Sequence, residues 1–479
     1  MDPRLPVVVG AAAAVPSAEP ADPLELMARA SEAAAADAGS PGLLSSVDLV
    51  LCPRGSWPCA DPGRVLARRF GAARARSVVA ELGVLQTTLV SRAAAAVSGG
   101  TADVVLISGG EARRNGPRLP PAPPSGADDG PDERLAPAAR IISAEEIGAG
   151  LLNAPSHYAL LENARRAALG LPLDAHLRQI SELWAGFNAV AAANPRAAFP
   201  RPRTAEELRS GGGDNRLISF PYRKWEVSQW NVDQAAALLV CSAEAARDHG
   251  VPSDRWVFLH AVAESDHMVP VTERPVLHRS AGFAAAGRAA LGAAGVGIDD
   301  IAFLDLYSCF PVAVFIQAEE LGTGLERRLT LTGGMTFAGG PLNNYVLQAA
   351  VEMCSALRAS GGELGLLTAI SGMVTKQGVA VWGGRPPAGG CRIENVTSAV
   401  AGSGEAVPVV ADGEGPARVL TYTVMFGRPD PERGVVLAEL PGGRRALAVT
   451  TAPETMASMT GEEWIGRAVA LDGQGGFAG

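Results

Sequence analysis

A chain of 479 residues is too long for one small core and sets a prior of two to four domains. Apolar residues make up 47% and charged residues 19%, which excludes global disorder. The net charge of -9, with no Lys/Arg run forming a basic patch, argues against a nucleic-acid binder.

The N-terminal half alternates strand and helix. Leu5–Gly10 reads as a buried strand; Arg4 and the following apolar run imitate a signal peptide, but Asp2 precedes the only positive charge. Pro23–Ala38 is an Ala-rich helix, Val47–Cys52 a strand, Arg64–Phe70 a helix, and Ser77–Glu81 a strand. Thr87–Ser98 is a helix and Asp103–Ser108 a strand ending in Gly109-Gly110. A Pro-rich, charged run over 112–138 interrupts this rhythm, followed by helices near Ala144–Gly150, Ser156–Leu169 and Asp174–Ala192. Residues 112–230 therefore read as an insertion lying over the sheet.

The rhythm restarts at residue 231. Asp233–Ala246 reads as helical or strand-helix, Trp256–Val262 as a strand, Ala284–Ala294 as a helix, Ile301–Ser308 as a strand and Val312–Leu321 as a helix. The helix Val346–Ala359 and the strands Leu364–Ser371 and Val379–Trp382 close this part. Two α/β halves, 1–230 and 231–385, imply mostly parallel sheet covered by helices. Beyond a Pro/Gly hinge at 385–390, a small β-domain over 395–479 is expected, with strands Ala417–Met425, Gly434–Leu440 and Arg445–Thr450. A short helix at Glu462–Arg467 and a final strand Ala468–Leu471 complete it. An open, OB-like barrel fits this pattern.

Between Leu331 and Tyr345 the chain reads LTGGMTFAGGPLNNY, four glycines and two adjacent asparagines set between apolar segments. This reads as a rigid loop offering backbone amides rather than a linker.

Four segments in order resemble the thiolase superfamily on its sterol-carrier-protein-type branch. They are Leu85–Asp103 running into VVLISGGEA, then Asp233–Ala237 (DQAAA), Tyr307–Pro311 (YSCFP), and the glycine loop. With CSAEAARDHGVPSDRWVF at 241–258 and GPARVLTYTV at 415–424, the whole chain is similar to the actinobacterial thiolase-like proteins of type 1. Those are usually labelled acetyl-CoA acetyltransferase and carry an extra C-terminal domain. The resemblance implies a thiolase fold of two similar α/β halves with layered helices and sheets, plus a small C-terminal β-domain. It also implies a coenzyme A thioester as substrate or ligand, with no permanently bound cofactor and no metal.

The departures from that family are chemical. The nucleophilic cysteine of a thiolase corresponds to Gly83, and its Gly-His-Pro appears as Gly339-Gly340-Pro341. The C-terminal Cys-x-Gly is replaced around Ser371-Gly372-Met373. The remaining motif is partly kept as Tyr307-Ser308-Cys309-Phe310. In the related steroid side-chain retro-aldolases, tyrosines at this position and near the glycine loop act as acid and base. Tyr307 matches the first and Tyr345 lies near the second.

The candidate catalytic residues are thus Tyr307, Tyr345, His260, His267 and Cys309. The candidate substrate contacts are Gly83, Gly339, Gly340, Asn343, Asn344 and His157. Each has a plain structural alternative. Buried free cysteine is commonly inert, a core histidine is commonly just hydrogen-bonded, and Asn343 or Asn344 would serve equally as oxyanion donor or helix cap. A catalytic phenol would need its pKa lowered by amides or positive charge. Arg201, Arg203 and Arg209 are possible contacts to the nucleotide of coenzyme A, while Lys376 reads as an exposed cation.

Two readings of different class follow. One is an acyltransferase or C–C bond-forming or -cleaving enzyme without an acyl-cysteine; the other is an inactive acyl-CoA-binding or partner-binding homologue. Scattered cysteines without a CxxC pair suit a cytoplasmic setting, and no segment is long enough to span a membrane. Monomer and homodimer are both compatible with the added domain.

Overall fold

The computed structural model describes residues 1–14, 20–114, 116, 118, 130–428 and 430–478; part of the Pro-rich run at 112–138 lies outside them. In chain order the strands are β1 (Pro6–Ala14), β2 (Leu49–Pro53), β3 (Arg76–Ala80), β4 (Val104–Ala112), β5 (Glu133–Leu135), β6 (Leu217–Ser219) and β7 (Tyr222–Arg223). They continue as β8 (Asp233–Ser242), β9 (Val257–Ser265), β10 (Ile301–Asp305), β11 (Leu364–Ser371), β12 (Lys376–Gly383) and β13 (Arg392–Asn395). The last are β14 (Val409–Val410), β15 (Glu414–Phe426), β16 (Pro431–Glu439), β17 (Arg445–Thr450), β18 (Ala468–Asp472) and β19 (Phe477–Ala478).

Helices α1 (Pro23–Asp37), α2 (Pro62–Arg69), α3 (Gln86–Ser98), α4 (Ala144–Gly148), α5 (Ala154–Ala168), α6 (Leu173–Ala193) and α7 (Ala205–Arg209) belong to the first part. They are followed by α8 (Ala243–Asp248), α9 (Ala281–Ala294), α10 (Pro311–Leu321), α11 (Gly334–Phe337), α12 (Tyr345–Ser360), α13 (Thr397–Ala401) and α14 (Pro453–Gly461).

Among the described residues, eleven strands form one sheet in the order β10-β11-β12-β9-β1-β8-β4-β2-β3-β5, with β13 also on β9. Strands β3, β2 and β4 run parallel, and β8 lies antiparallel between β4 and β1. On the other side, β10 and β11 are parallel and β12 lies antiparallel between β11 and β9. The two portions meet where β1 pairs β9 through Val7–Phe258 and Val8–Val257 alone. Strand β8, read above with the second half, is thus hydrogen-bonded among strands of the first. Runs such as VVLI in β4 are apolar throughout because helices cover both faces. One core gathers β1, β4 and β8 under α1, and a larger one gathers α3, α9, α10 and α12 on the opposite side.

A second sheet runs β14-β17-β16-β15-β18-β19, with β6 on β15 and β7 on β6. It is tied to the first part by more than the hinge. Asn163 Nδ2 of α5 donates to the Tyr422 carbonyl at 2.9 Å, Thr421 Oγ1 donates to the Leu160 carbonyl at 2.6 Å, and Arg166 pairs with Glu463. The insertion therefore bridges the two sheets. The short helix expected at Glu462–Arg467 instead precedes it as α14, started by Pro453 at a first-turn position where its missing N–H costs nothing.

Candidate functional site

A cleft of about 1200 Å³ opens between the N-terminal turn of α5, the passage Asp214–Asn231, the turn after β10, and the glycine loop. Tyr307, Cys309, Phe310, Met335, Gly340 and Gly372 line its inner part, and the exposed Leu152 and Trp230 stand among its outer residues. The sequence reading thus brings Tyr307, Cys309 and Gly340 to one place.

Tyr307 is held by its backbone. Its N–H donates to Thr368 Oγ1 at 2.7 Å and its carbonyl accepts from Gln317 Nε2 at 2.8 Å. Its hydroxyl bonds to no other described residue and is free toward the cleft. Burial drives the phenol pKa well above its ordinary value, with the Cys309 thiol a further upward influence. The expected lowering by loop amides is absent, so Tyr307 stays protonated. Cys309 is likewise pushed up to about 12 by burial, which keeps it a thiol and removes it as a nucleophile at neutral pH.

Those loop amides have other partners. The N–H groups of Leu331 and Thr332 donate to Asp305 Oδ2 at 2.8 and 3.0 Å. Gly333 and Gly334 donate to threonine hydroxyls, and Met335 donates to Ser308 Oγ at 3.1 Å. Gly340 donates to the Gln229 carbonyl at 2.9 Å. An oxyanion hole needs unspent donors, and these are spent on holding the loop.

Tyr345 belongs to that scaffold rather than to the cleft. Its hydroxyl donates to Asp305 Oδ1 at 3.0 Å and lies 2.7 Å from Thr332 Oγ1 and 3.2 Å from Ser308 Oγ. Its ring meets Tyr307 edge-on, 5.6 Å between centroids. Burial raises the pKa of both Asp305 and Tyr345, the latter well above its ordinary value. The pair anchors the loop to the end of β10.

The other expected site residues lie apart. His260 Nε2 sits 2.9 Å from the Arg385 carbonyl, and burial lowers its pKa. His157 is fully buried, with Nδ1 3.0 Å from the Asn153 carbonyl and Nε2 3.5 Å from Glu146. The neighbouring Tyr158, one step round the helix, is the residue that faces the cleft. His267 lines a second, smaller cavity. Asn343 and Asn344 do not line the cleft; Asn344 sits at the N-cap position of α12 without a side-chain cap bond, and the Val346 N–H is served by Gln86 Oε1 at 2.9 Å. Gly339 abuts the Gln234 side chain.

At the glycines set against the thiolase motifs, an added Cβ would meet a neighbour. Gly83 adopts φ 102°, and a Cβ there would lie 2.8 Å from Pro137 Cγ. A Cβ on Gly372 would lie 2.7 Å from Ile141 Cγ2, and one on Gly340 would overlap the Ser228 hydroxyl. Tyr158 seals the remaining side: its hydroxyl donates to the Gly372 carbonyl at 3.1 Å and accepts from the Val374 N–H at 3.2 Å, while its ring stacks on Phe310 at 4.2 Å. Lys376 is buried rather than exposed and donates to the Gly83 carbonyl at 3.0 Å.

At the outer part of the cleft, sequence reasoning missed a cationic cluster. Arg216 donates to the Gly427 carbonyl at 3.0 Å, beside Arg428, and its own carbonyl accepts from the Lys224 N–H at 2.9 Å. All three cations line the cleft, with Asp214 their one carboxylate, held by Lys224 Nζ at 3.0 Å and Trp225 Nε1 at 3.0 Å. Arg201, Arg203 and Arg209 do not line it: Arg203 stacks on Trp225, and the other two pair with carboxylates of the insertion.

The family model of the thiolase-like protein type 1 additional C-terminal domain matches residues 395–475. A crystal structure of a monomeric SCP2-thiolase-like protein type 1 from Mycobacterium smegmatis is 31% identical, with 100% of this chain and 99% of that one covered at a TM-score of 0.86. The chain belongs to the SCP2-thiolase-like proteins of type 1. Two more distant structures show the fold alone. The Ltp2–ChsH2(DUF35) aldolase is 23% identical over 80% of this chain and 99% of that one, at a TM-score of 0.59. The dimeric peroxisomal thiolase of Saccharomyces cerevisiae is 18% identical over 80% and 98%, at 0.57. No curated protein sequence matches.

Proposed function

We propose that the protein binds an acyl-CoA or related thioester in the cleft without performing thiolase chemistry. The observation that carries this reading is the contrast inside one fold. Pro137, Ile141 and Ser228 stand within clash distance of any Cβ added to Gly83, Gly372 and Gly340, while the cleft that Gly340 and Gly372 border is open beyond them. Arg216, Lys224 and Arg428 supply charge for phosphates, and Leu152, Trp230, Phe310 and Met335 supply apolar surface for an acyl chain. The protonated Tyr307 hydroxyl would donate a hydrogen bond to the thioester carbonyl.

A C–C lyase using tyrosines is favoured only by that free hydroxyl. A protonated phenol can act as acid, but the reaction also needs a base. Among the described cleft-lining residues Asp214 is already paired, Cys309 is protonated, and no histidine is present. The relative described as monomeric supports a monomer. Cys52, Cys241, Cys309, Cys354 and Cys391, none in a disulfide, support a cytoplasmic location, and no helix among the described residues is long and apolar enough to cross a membrane.

Calorimetric titration with CoA and a series of acyl-CoAs of increasing chain length tests the reading. Saturable binding that tightens with acyl length is expected. Absence of binding across the series would refute it.

A further inference from the structure

A second cavity, of about 310 Å³, lies across the Gly372–Thr375 turn from the cleft, between that turn, the β9–α9 connection, and residues Val400–Ala406 of the additional C-terminal domain. Its wall contains Arg274, held by Nε donating to the Val269 carbonyl at 3.1 Å and Nη2 donating to Thr375 Oγ1 at 3.1 Å. Among the described residues no carboxylate comes within ion-pair distance of this guanidinium, and its Nη1 has no hydrogen-bond partner. The other charges in the wall cancel. Arg279 is clamped to Glu320 at 2.7 and 2.9 Å, and Glu320 also accepts from the Ser280 N–H at 2.8 Å. The guanidinium is half-buried at a half-open cavity of mixed polar and apolar lining, with buried Glu146 acting on it only from beyond ion-pair distance, so an anion in the cavity would be its closest charge partner.

The surroundings are also built. Val374 is held at φ 55°, the left-handed region that a β-branched residue resists, and the next residue brings its hydroxyl to Arg274. Backbone strain of this kind persists where neighbouring contacts over-determine it. Tyr158 fixes the Gly372 carbonyl and Val374 N–H from the cleft side, while Arg274 fixes Thr375 from the other. Ser280, Thr375 and His267 add groups able to donate to an oxyanion.

We infer that this cavity is a binding site for a small oxyanion, a carboxylate or phosphate carrying at most a short substituent, with Arg274 as its charge partner. The cleft's cations belong to a different set of residues, so the two sites are separable by mutation.

The test is titration of the full chain with inorganic phosphate and, separately, with acetate, followed by backbone amide shifts. Saturable shifts at Thr375, Ser280 and Ser403 are expected, weakened at least tenfold by Arg274→Gln. Ser403→Phe, which narrows the cavity from the C-terminal domain without removing any bond to Arg274, should weaken them as well. This second variant keeps the test valid if Arg274→Gln fails to fold. Arg428→Gln in the cleft should leave these shifts unchanged. No saturable shift with either anion, a titration that survives both Arg274→Gln and Ser403→Phe, or one abolished by Arg428→Gln would overturn the inference.

Discussion

The crowded glycines Gly83, Gly340 and Gly372, two of which border the cleft, and the cleft's open part differ in what their backbone and side chains are free to do. In the first, Pro137, Ile141 and Ser228 occupy the space that catalytic side chains would need, and the glycine-loop amides are committed to Asp305 and its neighbours. In the second, the Tyr307 hydroxyl and a cationic cluster face open volume. The crowded glycine positions and the cationic part of the cleft are therefore built from different side chains.

The sharpest way to break that contrast is to put back a missing group. Gly340→His forces a side chain onto Ser228 and Met335, and overpacking of this kind should cost about 3 kcal/mol in denaturant unfolding. Ser228→Gly in the same chain should recover part of the loss. An undiminished midpoint for the single variant would show that the region is not filled.

The two tyrosines offer the next comparison. Tyr345→Phe leaves buried Asp305 and Thr332 short of a partner and should lose about 2 kcal/mol of stability. Tyr307→Phe removes a hydroxyl with no protein partner, so stability should stay within about 0.5 kcal/mol while acyl-CoA binding weakens. Equal destabilisation by both would erase the distinction between scaffold and cleft.

A smaller effect is expected at the cleft's cations. Arg428→Gln should weaken CoA about tenfold, or about 1.4 kcal/mol, and flatten the salt dependence of binding. Unchanged affinity would move the phosphates elsewhere.

Titration of Glu264 gives an effect that depends on pH. Burial pushes its pKa up to about 7, despite hydrogen bonds from Thr87 and Thr88. A carboxyl raised in the folded state binds its proton more tightly there than in the unfolded chain. Its contribution is present in full below the ordinary carboxylate range and is lost as pH rises toward 7, with a slope of at most about 1 kcal/mol per pH unit. Glu264→Gln should flatten stability between pH 5 and 7; an identical profile would place the titration in another group.

Much of this architecture was legible in the sequence because periodicity and turn chemistry are local. The strands Leu364–Ser371 and Arg445–Thr450 were bounded correctly, and the replacement of histidine by Gly340 was visible from the motif itself. What was not legible came from distance. Pro137 and Ile141 pack against Gly83 and Gly372 only after the insertion folds back over the sheet. Glycine-loop amides looked available because their acceptors, Asp305, Ser308 and Gln229, lie in other segments. Lys376 read as exposed because its partners, the Gly83 carbonyl and Asp266, are far away in the chain. Arg216 and Arg428 join the cleft because β6 pairs with β15, a contact between the insertion and the C-terminal domain that no local pattern announces.

The central claim is binding without turnover, and one calorimetric titration addresses both parts. Acetoacetyl-CoA is injected into the full chain in the presence of CoA. The account predicts a saturable heat of binding near one ligand per chain, followed by a flat baseline. Sustained heat from thiolysis, or no saturable heat at all, would contradict it.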